Sequence, residues 1–278
     1  MTSAMAHPAY VFDRLPEIAS LLQGRPRGLI ADVDGTLSAI APSPELAYVS
    51  QEIKQRLREL RPGFEVVAAV SGRSAEDARQ MLGIDSMIVL GNHGLEAIDA
   101  GQVHYFQGAD RWLPVIGRAL AELEQQLPLT GLQFEHKGAS ASVHYRQAPD
   151  PLAARRSILA AFATSESARA LRVTEGKMVV ELRPPLEANK GSAVRWLIYR
   201  YRLAVALYLG DDVTDVDAFR EITALRQEAG LQGASIVVVD GDTPNAVSDA
   251  ADFFVSGIAD VERLLAWLTA PDGALTTT

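Results

Sequence analysis

The run GLIADVDGTL, residues 28–37, ends an apolar stretch on two aspartates one residue apart, Asp32 and Asp34, and then breaks at Gly35. Carboxylates that close repel each other unless something positive sits between them. Other apolar runs end in the same manner. AAVSGR carries Ser71 and Arg73, LGNHG carries Asn92 and His93, and YLGDD carries Asp211 and Asp212. A carboxylate cluster without an excess of cations suits a hard divalent ion with oxygen ligands, and Mg²⁺ is the usual choice beside a phosphate. Lys190, at the start of a helical pattern, can balance the charge of an anionic substrate.

This chemistry needs strands that end together. GLIADVD, FEVVAAVSG, MIVLGNHG and LAVALYLGDD are short apolar runs, the signature of strands buried in a parallel sheet. In such a sheet the carboxyl ends of the strands meet at one rim, where ligands bind. PELAYVSQEIKQRLREL has helical spacing with Pro44 at its start, and SAEDARQML is a shorter helix capped by Ser74. The expectation is a doubly wound α/β core with its polar residues on that rim.

The middle of the chain changes character. GLEAIDAGQVHYF alternates like a hairpin, and RWLPVIGRALAELEQQL is an amphipathic helix. LQFEHKGASASVHYR predicts two strands turning near Lys137 and Gly138, PLAARRSILAAFATS a helix, and LRVTEGKMVVELRP another hairpin. From about Asp110 to Arg183 this reads as αββαββ, a two-layer module with an antiparallel sheet. The expected organisation is a core in two pieces, residues 1–107 and 186–278, with an α+β module at 108–185. In the second piece Asn189 is a helix cap, Thr214 and Asp217 match a capping pattern, and the final DGALTTT reads as a loose tail.

Composition narrows the field. With 35 acidic against 26 basic residues and a formal net charge of −9, a general nucleic-acid binder is not expected. The chain has no cysteine, which excludes disulfides, thiolate catalysis and cysteine-ligated zinc. The opening MTSAMAHPAYVFDRLPEIAS has no basic segment ahead of an apolar run, so no signal peptide is expected. No apolar run reaches ~18 residues, so no membrane span is expected either. The default is a cytoplasmic protein.

In order, DVDGTL, VSGR, NKG and GDDVTD resemble the haloacid-dehalogenase superfamily of phosphatases over almost the whole chain. The resemblance implies a haloacid-dehalogenase-like Rossmannoid core in which the αββαββ module is a cap. It also implies roles. Asp32 is the nucleophile that accepts the phosphoryl group, and Asp34 is the general acid, then base. Ser71 and Lys190 hold the phosphate. Asp32, the main-chain carbonyl of Asp34, and Asp211 hold Mg²⁺, with Asp215 close to the metal. The like charge at Asp32 pushes the Asp34 carboxyl towards the protonated form that an acid needs.

GNHGLE, FEHKGASASVHYR, GKMVVELRP and GDDVTDVDAF are together similar to trehalose-6-phosphate phosphatases. This implies a sugar-phosphate substrate, trehalose 6-phosphate, and a functional link to a trehalose-6-phosphate synthase. It also implies sugar contacts from Glu135, Lys137, Lys177 and Glu181, with Arg73, Asn92 and His93 around the substrate. Carboxylates and ammonium groups suit a molecule covered in hydroxyls. His136 stands where that family more often has Asp, and VDAF where it often has EDMF. Three alternatives share the motifs. One is hydrolysis of another sugar phosphate, such as glucosyl- or mannosyl-3-phosphoglycerate or sucrose 6-phosphate. The others are a phosphomutase and a catalytically silent sugar-phosphate sensor. The complete set of nucleophile, acid/base, lysine and metal ligands argues against the sensor.

Overall fold

A computed structural model describes residues 7–41, 46–176 and 178–270. The chain divides into two compact units, Met1–Val103 with Ala188–Thr278, and His104–Glu187. In chain order the elements begin with β1 (Ala9–Tyr10), α1 (Leu15–Leu21), β2 (Arg27–Ala31), α2 (Gln51–Glu59), β3 (Val66–Val70), α3 (Ala75–Leu82), β4 (Ile88–Gly91), β5 (Glu96–Asp99) and β6 (Gln102–Tyr105). Next come α4 (Leu113–Gln126), β7 (Gln133–His136), β8 (Ala141–His144), α5 (Pro151–Thr164), β9 (Arg172–Gly176) and β10 (Val179–Arg183). The chain continues with α6 (Lys190–Tyr201), β11 (Val205–Gly210), α7 (Val216–Glu228), β12 (Gln232–Val239), α8 (Asn245–Ser248), β13 (Phe253–Ser256) and α9 (Gly257–Thr269).

The larger sheet has the order β1-β13-β12-β11-β2-β3-β4-β5-β6. Its pairs from β1 to β4 are parallel, and β5 joins β4 antiparallel. Every residue of β2, β3, β4 and β11 is buried. That explains why these strands read as continuous apolar runs rather than alternating ones. Strand β2 lies between β3 and β11, so the chain winds away from it in both directions. The crevice at the carboxyl end of such a switch point is where an open α/β sheet binds its ligand. The residues that follow β2, β3, β4 and β11 are Asp32, Ser71, Asn92 and Asp211.

Two local expectations are corrected. The helix read over PELAYVSQEIKQRLREL starts only at Gln51, because Ser50 caps it and accepts the Ile53 N–H at 3.1 Å. Val49, just before that cap, bridges Ser38 instead. Pro44 lies outside the described residues, as does DGALTTT. At the start of α7 the capping pair is Asp212 and Asp215, around a 3₁₀ turn over Val213–Asp215, rather than Thr214 and Asp217. Strands β1 and β13 and helix α1 have no counterpart in the sequence reading.

In the second unit the sheet order is β7-β8-β10-β9, antiparallel throughout. Ile116, Leu120 and Leu123 of α4 and Ile158 and Phe162 of α5 share a core with Val143, Val180 and Leu182. Strand alternation puts those sheet residues on one face and leaves Glu135, Ser142 and Glu181 on the other. These three sit directly opposite one another across β7, β8 and β10. Among the described residues no helix is long and apolar enough to cross a membrane.

Candidate active site

The loop after β2 is shaped by Asp211. Gly35 has a φ of +91°, and a Cβ there would lie 2.0 Å from Asp211 Oδ2. Only glycine allows both the left-handed turn and that approach. Thr36, also buried, donates its hydroxyl to Asp211 Oδ1 at 2.8 Å. The break after Asp34 thus lets the ends of β2 and β11 share one carboxylate.

Asp32 is 4% exposed and Lys190 2%. The Lys190 ammonium lies 3.0 Å from Asp32 Oδ1 and 2.7 Å from Asp215 Oδ1. Helix α6 presents this lysine in its first turn, and Asn189 and Ser192 form a capping box there. Asp215 is wholly buried and accepts four hydrogen bonds. Lys190 and the Tyr208 hydroxyl reach Oδ1, the latter at 2.6 Å, and the N–H groups of Asp211 and Asp212 reach Oδ2.

Burial dominates the electrostatics. It pushes the Asp32 carboxyl well above the usual range, assisted by Asp215 and Asp211 and opposed by Lys190. Burial and Asp215 likewise push Asp211 up to about 7, against the Thr36 hydrogen bond and Lys190. Burial pulls Lys190 down, but Asp215 and Asp32 more than offset this and hold its ammonium above the ordinary value. Burial, then Asp215, raises the Tyr208 phenol well above its own. Oxygens of Asp32, Asp211 and Asp215 lie within 4.8 Å of one another. Two buried carboxylates and the half-buried Asp211 around one ammonium leave uncompensated negative charge, and all their donors are hard oxygens. That donor set fits Mg²⁺.

Asp34 is clasped by Arg73. The guanidinium Nε and one terminal nitrogen donate to its two carboxylate oxygens at 2.7 and 2.8 Å, a bidentate pair. Arg73 was expected around the substrate; here it binds a residue of the candidate site itself. Its main chain is fixed, because its N–H reaches Ser71 Oγ at 3.1 Å and its carbonyl accepts the Asn92 N–H at 2.7 Å. Ser71 is buried beside Asp32's strand.

His93 packs on Gly72, where a Cβ would meet its ring at 2.8 Å. Asn92 follows β4 in the same loop. It is 1% exposed and donates its amide to Glu96 Oε1 at 2.9 Å, and the same oxygen takes the Ala75 N–H. Its φ of 51° lets this tight loop close, so its work is to hold the NHG loop.

In the second unit the Lys137 ammonium lies 3.3 Å from Glu181 and 3.6 Å from Glu135. His144 Nε2 lies 2.8 Å from the Glu135 carboxylate. These partly buried polar groups form one cluster on the polar face of the small sheet. Lys177 lies outside the described residues. Sequence reasoning missed Thr36, His144 and Tyr208. The signal for Tyr208 was an aromatic residue in an otherwise aliphatic strand, two residues before the Gly-Asp-Asp turn.

The chain matches the trehalose-phosphatase family over residues 30–258. The chain belongs to the trehalose-phosphatase family. A curated relative, the trehalose-phosphate phosphatase of Mycobacterium tuberculosis (strain H37Rv), is 36% identical over 245 residues, covering 84% of this chain and 60% of its own length. The chain therefore spans about three-fifths of that relative's length. Among solved structures, a trehalose-6-phosphate phosphatase related protein superposes with a TM-score of 0.72 at 27% identity, covering 87% of this chain and 96% of that one. The C-terminal domain of the Candida albicans trehalose-6-phosphate phosphatase gives 0.73 at 21% identity, covering 96% and 99%, and speaks to the fold alone. In this family setting the rim at β2 and β11 is the candidate active site.

Proposed function

We propose that the chain is a Mg²⁺-dependent phosphatase that hydrolyses trehalose 6-phosphate to trehalose and phosphate through a phosphorylated Asp32. The observation that carries the reading is the placement of Lys190 on Asp32, beside Asp211, at the switch point of a trehalose-phosphatase chain. Lys190 holds the phosphate with Ser71 and neutralises its oxygens, which lets one anion attack another. Asp32, the main-chain carbonyl of Asp34, and Asp211 would hold Mg²⁺, which when bound screens further negative charge on the phosphate. Asp215 accepts two donors on each oxygen and would stand near the metal without offering it a free oxygen.

In the first half, an Asp32 oxygen attacks phosphorus and the bond from phosphorus to the sugar oxygen breaks. Asp34 gives that oxygen its proton. In the second half, Asp34 takes a proton from water, the water oxygen attacks phosphorus, and phosphate leaves Asp32. The clasp of Arg73 occupies both Asp34 oxygens, so Asp34 leaves that clasp to reach the sugar oxygen in the first half. On the second unit, Glu135, Lys137 and Glu181 recognise the hydroxyls of the sugar.

Phosphate release from a panel of sugar phosphates, with and without Mg²⁺, tests the reading. Trehalose 6-phosphate should be hydrolysed with the highest kcat/KM, and only with metal. Faster hydrolysis of sucrose 6-phosphate or a glycosyl-3-phosphoglycerate would replace the substrate. Binding without turnover of any of them would leave a sensor.

A further inference from the structure

Tyr208 is wholly buried in β11 and touches none of the atoms that react. Its hydroxyl donates to Asp215 Oδ1 at 2.6 Å, and Lys190 Nζ donates to the same oxygen at 2.7 Å. The other oxygen takes the Asp211 and Asp212 N–H groups at 3.1 and 3.0 Å. A carboxylate offers about four lone-pair sites, so Asp215 is filled. The space around it is shaped to match: a Cβ at Gly210 would lie 2.3 Å from Asp215 Cγ. From Asp215 the contacts lead two ways, through Lys190 to Asp32 Oδ1 at 3.0 Å, and through the main chain to Asp211.

We propose that Tyr208 is a positioning residue for phosphoryl transfer: by sharing Asp215 Oδ1 with Lys190, its hydroxyl sets where the ammonium stands relative to Asp32. Packing alone does not call for that hydroxyl. The neighbours of Tyr208 in β11 are Val205, Ala206, Leu207 and Leu209, and a phenylalanine would fill the same volume. The ring stacks edge-on against Phe219, with centroids 5.8 Å apart at 77°. This fixes the direction from which the hydroxyl approaches. Without the hydroxyl, Lys190 is the only side-chain donor left on Oδ1 among the described residues. The ammonium then settles towards Asp215 and away from Asp32 and the phosphate, and Asp215 gains freedom to turn. A displacement of ~1 Å in a catalytic group can cost up to ~100-fold in rate.

The inference rests on the proposed roles of Lys190 and Asp32, and the experiment separates the two. Tyr208→Phe and Lys190→Met are assayed in the full chain with saturating Mg²⁺, on trehalose 6-phosphate and on p-nitrophenyl phosphate. Tyr208→Phe should lower kcat about tenfold on both substrates, the size of one hydrogen bond to a charged group, with KM changed less than about twofold. A p-aminophenylalanine at 208, which restores a donor, should recover most of the loss. A p-methylphenylalanine, which has the bulk and no donor, should not. This last pair decides the matter if Tyr208→Phe does not fold. Wild-type kcat in a folded variant without the donor, or a loss confined to KM, overturns the role of Tyr208, while a Lys190→Met variant that is folded by circular dichroism yet inactive keeps the reading of the site. An active Lys190→Met overturns that reading, and the inference with it.

Discussion

Lys190→Met should destabilise the protein as well as inactivate it. The ammonium is 2% exposed and lies 2.7 and 3.0 Å from two buried carboxylates. Methionine keeps most of the side-chain volume but leaves Asp32 and Asp215 without their cation. Removing one partner of a buried ion pair costs ~3–5 kcal/mol. Two partners are stranded here, which points to the upper end. Two effects hold the loss down: Asp32 can take up a proton, because burial already raises its pKa, and Asp215 keeps three other donors. A loss of ~3–5 kcal/mol is a large part of the ~5–15 kcal/mol that holds a typical domain folded. Urea denaturation at neutral pH in a chelator measures it, followed by circular dichroism. Mg²⁺ should return part of the loss, since it also neutralises Asp32 and Asp211. A change below about 1 kcal/mol, in the range of an exposed ion pair, would refute the argument that Lys190 is the cation on which this buried cluster depends.

Chelation should stop turnover, and Mg²⁺ should restore it and raise Tm; full activity after exhaustive chelation would remove the metal. Without metal, Asp211 binds its proton more tightly folded, at about 7, than unfolded near 3.8, so its contribution to stability is full below the lower value and lost as pH rises through the upper one. Denaturation midpoints of the metal-free protein should therefore fall from pH 5 to pH 8 by more than those of the Mg²⁺-loaded protein, and equal slopes would contradict this. Glu181→Ala should lower kcat/KM for trehalose 6-phosphate by roughly 10–150-fold, the worth of a charged hydrogen bond, and leave an aryl phosphate nearly unaffected; equal losses would make Glu181 structural. Asp34→Asn should slow the sugar phosphate by ~10²–10⁴-fold. A nitrophenyl leaving group needs no proton and should be hurt less in single-turnover measurements of the first half; equal losses would give Asp34 another role.

Much of the fold and of the candidate site is legible in the sequence. Buried strands announce themselves by unbroken apolar runs, and GLIADVD, AAVSGR and YLGDD each ended on the residues that the sheet brings to one rim. What the sequence concealed follows from long-range geometry. The reach of Asp211 across to Gly35 joins residues far apart in the chain, and no local pattern encodes it. The bidentate grip of Arg73 on Asp34 likewise depends on how β2 and β3 are registered. Residue type does not reveal that Asn92 has a positive φ and donates its amide to the buried Glu96. The helix read from Pro44 failed because helical spacing in the run before Ser50 competed with a stronger cap. Strand β1 is two residues long, too short for periodicity to register.

The central claim is that Asp32 carries the phosphoryl group. Acid quench of the wild-type enzyme during turnover of radiolabelled trehalose 6-phosphate, followed by peptide mapping, tests it most directly. The account predicts acid-stable, hydroxylamine-sensitive label on the peptide that contains Asp32, and none in a folded Asp32→Asn variant, which should also release no phosphate. Steady turnover with no covalent label, together with near-normal phosphate release by Asp32→Asn, would contradict it.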